Sequence, residues 1–306
     1  MGKHIFVATL LYVILSATSF AQEARQKEDL FNEQALLRHA KNLSADAFEG
    51  RRTGTKGAAK ARNYIINTFH KLEVKPLGKY YEQSFTFTKN KKEYKGINIL
   101  GLIKGTCKPN KFIVISAHYD HEGVKRGKIY NGADDNASGV SALFSLAEYF
   151  KKYPPKHSVI LAAFDAEELG LRGSKYYVNN TIVSSKNILL NINLDMISRS
   201  DERELYVVGT ETHQHFKKLF SNAKLIFDDI KLLVGHDGYD GKDNWTYSSD
   251  HASFYKKGIP FLYFGVEDHE DYHEPTDDFE NIHPKFYCKA VMQIITVFKQ
   301  IDLLTF

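Results

Sequence analysis

Apolar residues along the chain gather into short, nearly unbroken runs separated by polar, glycine-containing stretches. The runs at 112–117, 158–164, 188–194 and 259–264 are of this kind, with a shorter one at 205–208. Such runs, rich in β-branched and aromatic residues and lacking a polar face, predict strands buried on both sides. Between and after them apolar positions recur at helical spacing, which predicts helices over 138–150, 169–178, 211–222 and 284–301. Two amphipathic helices are expected earlier, over 29–42 and 57–72, and 81–104 alternates as strands around a Lys-rich turn. Strands that alternate with helices imply an α/β fold with a mixed, largely parallel central sheet and helices on both faces. No internal repeat or low-complexity linker interrupts the pattern. One domain is therefore expected over 22–306, with the helices of 29–72 packed on it.

The first residues follow a different rule. Lys3 and His4 precede an apolar run from Ile5 to Ala17, and Ser19-Phe20-Ala21 offers small residues at the −3 and −1 positions. This reads as a secretory signal over 1–21, cleaved after Ala21, and the expected location is secreted or periplasmic. The run is short for a membrane span, and no later stretch is long and apolar enough for one, so no stable membrane anchor is expected. The composition is ordinary for a globular protein, with 43% hydrophobic and 25% charged residues, which excludes a disordered chain or a collagen-like repeat. A formal charge of +4 on 306 residues gives no support for a nucleic-acid partner. Cys107 and Cys288 lack CxxC spacing, so no thiolate metal site or redox motif follows, and their pairing stays open.

In open α/β sheets, sites form beyond the carboxyl ends of strands. His118, Asp120 and His121 follow the run at 112–117. Asp134 and Asp135 precede the helix expected from 138. Asp165, Glu167 and Glu168 follow 158–164, Asp195 follows 188–194, and His269 and His273 follow 259–264. Each has a plain structural alternative: Asp135 as a helix cap, Asp195 as a turn residue, His118 as a satisfied strand-end histidine. Five connections converging on one edge are harder to explain that way. Gathered carboxylates repel, and a divalent cation removes the cost. Histidine and carboxylate without thiolate suit zinc, with cobalt or manganese as alternatives. Two His and three carboxylates exceed what one tetrahedral ion needs if it keeps a water. They suit two ions that share a carboxylate and hold a hydroxide, with a free carboxylate as its base.

His118-Tyr119-Asp120, Gly132-Ala133-Asp134-Asp135-Asn136-Ala137-Ser138-Gly139, Asp165-Ala166-Glu167-Glu168-Leu169-Gly170, Asn193-Leu194-Asp195-Met196 and Tyr272-His273 resemble, in order, the motifs of the M28 family of zinc aminopeptidases. The resemblance runs from about Leu43 onward and implies a zinc exopeptidase-like fold. It implies two zinc ions per chain, one held by His118 and Asp195, the other by Glu168 and His273, with Asp135 bridging. Glu167 would be the general base and acid, Asp120 would orient His118, and Tyr272 is similar to a tyrosine that stabilises the oxyanion in some members. It further implies peptide substrates with a free N-terminus, whose ammonium would sit among the acidic groups. Many larger relatives carry an inserted protease-associated domain; 81–104 leaves no room for one, so a minimal catalytic domain is expected. Glutaminyl cyclisation, run by relatives with a single zinc, and non-catalytic peptide binding are the alternatives.

Two other motifs compete. His269-Glu270-Asp271-Tyr272-His273 is a literal HExxH, which works in zincins because a helix turns both imidazoles to one ion. Here Gly265 precedes it and Pro275 follows closely, so a helix is not expected. Ser249-Asp250-His251 lacks the nucleophile-elbow pattern of a serine hydrolase, and reads as a pocket wall or the cap of a helix over 252–257. Four Asn-x-Ser/Thr sequons occur, at Asn42, Asn136, Asn179 and Asn244, and a glycan on Asn136 would be incompatible with the proposed site. The zincin and two-ion readings separate experimentally. His269→Ala is expected to keep most activity and all bound metal, whereas Asp135→Ala or Glu168→Ala loses metal; zinc content and peptidase rate measured on the three variants decide between them.

Overall fold

The computed structural model describes residues 30–211, 214–221, 230–238 and 240–304. The signal sequence read over 1–21 lies outside these residues. Helix α1 (Glu33–Leu43) begins where the Asn32 side chain accepts from the Ala35 N–H, and α2 (Lys56–Lys71) begins on Thr55 in the same way. Both are N-caps that satisfy a free first-turn donor. The chain then forms β1 (Lys75–Pro76) and the antiparallel pair β2 (Glu82–Lys89) and β3 (Lys92–Ile103). Next come β4 (Lys108–His118), a small separate hairpin of β5 (Gly123–Lys125) and β6 (Lys128–Tyr130), α3 (Gly139–Lys152) and β7 (His157–Phe164). Helix α4 (Arg172–Asn179), β8 (Ile188–Leu194), β9 (Glu204–Val208), α5 (Gln214–Ser221) and β10 (Lys231–Val234) follow. Last are α6 (His251–Tyr255), β11 (Phe261–Gly265) and α7 (Pro284–Ile301). Pro284 stands in the first turn of α7, where its missing N–H costs nothing.

Among the described residues the sheet has nine strands in the order β1-β3-β7-β4-β8-β11-β9-β10, with β2 also on β3. Its centre, β7-β4-β8-β11, is parallel throughout; β3 joins β7 and β9 joins β11 antiparallel. The mixed, largely parallel sheet read from the sequence is the one observed. Val114, Ile160, Ala162 and Phe164 pack with Tyr177 of α4 and Phe254 of α6. Alternation sends Ile113 and Ile115 to the opposite face, where α3 packs on β4 and touches α1, α2 and α7. Both faces are thus covered, which is why these strands carry no polar side. Among the described residues no helix is long and apolar enough to cross a membrane. Cys107 is exposed and Cys288 buried, and the two are not paired.

The register places the functional edge. His118 pairs with Phe164, Ser116 with Asn193, and Leu194 with Phe264. The last residues of the four central strands therefore line up, and the next residue on each opens the same edge. The helix expected from Leu169 starts only at Arg172. Ala166 and Leu171 take left-handed φ values of 60° and 58°, and Gly170 and Leu171 both donate to the Glu167 carbonyl. That tight turn, in place of a first helical turn, lifts Glu167 and Glu168 out of the sheet. Strand β10, of four residues, and the three-residue strands of the β5–β6 hairpin are too short to have been read from the sequence pattern.

Candidate active site

Continuing the β4–β8 register beyond Ser116 and Asn193 sets His118 beside Asp195, and the His118 Nε2 lies 3.2 Å from Asp195 Oδ1. Asp135 arrives from the 132–138 loop between β6 and α3. Its Oδ1 lies 3.1 Å from the same His118 nitrogen, while its Oδ2 lies 3.2 Å from His273 Nε2. His273 Nε2 is also 3.5 Å from Glu168 Oε2. One carboxylate therefore faces two donor groups with its two oxygens. Asp135 caps no helix. Asp120 meets His118 through its main-chain carbonyl, 3.0 Å from Nδ1, rather than through its carboxylate, which stands 3.9 Å away. The Asp120 carboxylate instead accepts from the Glu167 N–H at 3.0 Å and from the Thr53 hydroxyl at 3.2 Å. Either way the His118 Nδ1 is occupied and its Nε2 is aimed at the carboxylates, the usual arrangement behind a metal-bound imidazole.

The donor set suits zinc. In a tetrahedral shell with bonds of about 2.0–2.2 Å, neighbouring donor atoms stand about 3.4 Å apart. The nitrogen–oxygen separations here run from 2.9 to 3.5 Å. His118, Asp135 and Asp195 converge as one group, His121, Asp135 and Glu168 as another, and Glu122, Glu168 and His273 as a third. The sequence reading placed His273 with Glu168 and Asp135, and its Nε2 approaches both. His121, to which it gave no role, is fully buried and also points there, 2.9 Å from Glu168 Oε1 and 3.5 Å from Asp135 Oδ2. Its only signal in the sequence is that it lies three residues after His118.

Charge balance without an ion falls on the imidazoles. Burial disfavours charge on His118, but Asp195, Glu167 and Asp135 outweigh it and hold its pKa well above the usual range. For His273 the burial cost is likewise overcome, by Asp135 and Glu168, and its pKa rises to about 10. Burial opposes ionisation of Asp135 and Glu168 too, yet the surrounding imidazoles hold Asp135 well below its ordinary value and Glu168 at about 2. Glu167 differs: burial, with Asp250, Asp195 and Glu168 nearby, pushes its pKa well up against the pull of His118. It lines the same cleft of about 310 Å³ as the donors, together with Tyr272, Tyr263, Trp245, Asp243 and Asp268. Tyr272 stacks on His273, and burial raises its phenol pKa further.

A second layer fixes the loops. The Arg51 side chain is 1% exposed and donates to the carbonyls of Tyr119, Leu43, Asn131 and Gly132, which flank the segments bearing His118 and Asp135. The Asp277 carboxylate accepts from the N–H groups of Asp134 and Asp135 at 2.9 and 3.0 Å. Asp165 is saturated by Thr53, Tyr119, Ile97 and Ala166 and takes no part in the cleft. Gly132 has φ +58°, and a Cβ there would meet the Asp135 carbonyl at 2.0 Å, so only glycine fits. Asn136 is fully buried between Leu194 and Gly139, which removes its sequon from the surface.

The competing motifs resolve physically. His269 bonds Asp134 at 3.0 Å and lies outside both donor groups, and 270–273 is a turn with His273 at φ +56°, not a helix. Ser249 donates to Asp195 Oδ2 at 2.6 Å, and His251 stacks on Phe261, so neither acts on the other.

The model of peptidase family M28 matches residues 98–297, which span every donor named above. The chain belongs to peptidase family M28. It is 33% identical over 200 residues to the aminopeptidase YwaD of Bacillus subtilis, covering 60% of this chain and 40% of that one. A probable zinc metalloprotease of Pyrenophora tritici-repentis is 27% identical over 197 residues, covering 60% and 44%. The chain thus spans well under half the length of these curated relatives. Among solved structures, a zinc aminopeptidase from Bacillus subtilis superposes with a TM-score of 0.69 at 20% identity, covering 89% of this chain and 95% of that one. Glutaminyl cyclase of Porphyromonas gingivalis superposes with a TM-score of 0.71 at 17% identity, covering 89% and 99%. At these identities the structures speak for the M28 fold alone.

Two outcomes follow. Arg51→Met leaves up to four buried carbonyls without a donor, and is expected to lower unfolding free energy by about 3 kcal/mol or more in a denaturant titration. Zinc binding to the metal-free protein requires neutral imidazoles, and the neighbouring carboxylates hold the pKa of His118 and His273 above that of an ordinary imidazole. Calorimetry in buffers of different ionisation enthalpy is therefore expected to show net proton release, with zinc affinity falling as pH is lowered.

Proposed function

We propose that this chain is a secreted zinc aminopeptidase with two ions per chain, exported by the signal sequence at 1–21. The observation that carries the reading is Asp135, whose two oxygens face separate donor groups. His118 and Asp195 would complete one group and Glu168 and His273 the other. Bound zinc supplies polarisation of the scissile carbonyl and a lowered pKa for coordinated water. Glu167 takes the proton of the attacking water and returns it to the leaving amine. Its raised pKa brings it closer to neutrality than an ordinary carboxylate, which suits that two-way task. Tyr272, kept protonated, donates toward the developing oxyanion. The free ammonium of the substrate is met by the acidic wall of the cleft at Asp243 and Asp268, which neither donor group uses. An exopeptidase follows from that charge, because an internal peptide bond brings no ammonium to offset it.

Cyclisation of N-terminal glutamine is the second reading; a glutaminyl cyclase shares the fold, which by itself does not choose between the two reactions. Two complete donor groups and a retained Glu167 speak for hydrolysis, and against a purely peptide-binding role. The test is a panel of aminoacyl anilides and short peptides, with and without chelator. Zinc-dependent release of the first residue is expected, abolished by N-terminal acetylation. Glu167→Gln is expected to lower kcat about 10²–10⁴-fold with zinc content unchanged. Loss of ammonia from a glutamine peptide, with no residue released from any peptide, overturns the proposal in favour of cyclisation.

A further inference from the structure

His121 is the buried group in the cleft wall for which the two-ion reading has no use. It is 0% exposed, and neither ring nitrogen has a hydrogen-bond partner among the described residues. A buried imidazole left in that state is costly. Its Nδ1 stands 2.9 Å from Glu168 Oε1, yet the two are not aligned for a hydrogen bond, and that oxygen is also without one. Nδ1 is 3.5 Å from Asp135 Oδ2, the oxygen that His273 Nε2 also approaches, at 3.2 Å. Close approach without alignment is what donors show when they face a common centre rather than each other. The separations match the edge of a tetrahedral zinc shell, about 3.4 Å. Glu122 is the other extra donor near Glu168 and His273, but it is already paired with Arg52 and Lys125. His121 faces only Glu168 and Asp135, the carboxylates that are themselves candidate donors.

We infer that His121 is a protein ligand of the second ion, so that this site takes His121, His273, Glu168 and one oxygen of Asp135. The inference rests on the two-ion reading above and adds a ligand to it. The two sites then differ in kind. The first has His118, Asp195 and the other Asp135 oxygen, three protein donors, and keeps a position for water or substrate. The second has four, the number that closes a structural zinc site. The second ion is therefore expected to be held more tightly and to exchange more slowly than the first.

The experiment measures zinc directly. Zinc content and competition with a chromophoric chelator are compared for the wild type, His121→Ala and His121→Asn. The asparagine amide can still donate to Glu168 but is a poor zinc ligand. Outer-layer partners of a metal ligand are worth about 10–100-fold in affinity, so loss of a ligand itself is expected to exceed about 100-fold. Both variants are expected to keep one zinc per chain at free zinc concentrations where the wild type keeps two. X-ray absorption on the wild-type protein, which needs no variant to fold, is expected to show three imidazoles shared by two zinc ions. Full zinc retention by His121→Asn, or only two imidazoles for two ions, overturns the inference and leaves the two-ion reading standing. Fewer than two zinc ions in the wild type overturns both.

Discussion

Like charge gathered in a dry place is the constraint to which the rest of this architecture answers. Asp135, Glu168, Asp195 and Glu167 are held together at one edge of a sheet whose interior excludes water. Carboxylates at that spacing repel strongly when little solvent screens them. The chain compensates at two levels. Three imidazoles from two connections, His118 and His121 after β4 and His273 after β11, interleave with the carboxylates. Beneath them Arg51, whose own pKa falls to about 10 through burial, adds a buried positive charge while its hydrogen bonds are spent on loop carbonyls. Two acids of the run from 267 to 280 are buried and structural: Asp277 clamps the Asp135 loop and Asp271 pairs with Arg199.

The sheet and its working edge were legible because both obey short-range rules. Buried parallel strands show as unbroken apolar runs, and residues just beyond their ends share an edge. That rule gathered the edge's carboxylates and imidazoles, and the resemblance to the M28 motifs singled out His118, Asp135, Glu167, Glu168, Asp195 and His273 among them. What escaped acts through the main chain or over long distance. Arg51 and Asp277 bind backbone groups, which have no signature in side-chain pattern. The role of Asp120 shifted for the same reason, since its carbonyl rather than its carboxylate meets His118. Helix starts moved where a turn competed: Glu167 to Leu171 has helical composition but is bent by two left-handed residues. His121 was visible as a residue and silent as a role, because only the fold shows which side of Glu168 it reaches.

The Asp135 loop also shows how one glycine governs chemistry some distance away. Gly132 must bring its backbone against both the Asp135 carbonyl and the His121 ring. That contact sets the entry of the loop, and the Asn136 amide fixes its exit against Leu194. The carboxylate in between is pinned at both ends, so its two oxygens keep their separate directions without relying on either donor group to hold them.

The donors are scattered along the chain, and about half its length separates His118 from His273. No local segment of the unfolded polypeptide carries more than a fragment of either donor group, so the unfolded state binds an ion weakly. An ion that binds only the finished fold adds to its stability in proportion to the logarithm of its free concentration. On the proposed reading, the durability of the folded state would be set partly outside the chain, by the zinc level of whatever compartment it occupies. Depletion of the metal would silence the site and, in the same step, bring the whole sheet closer to opening.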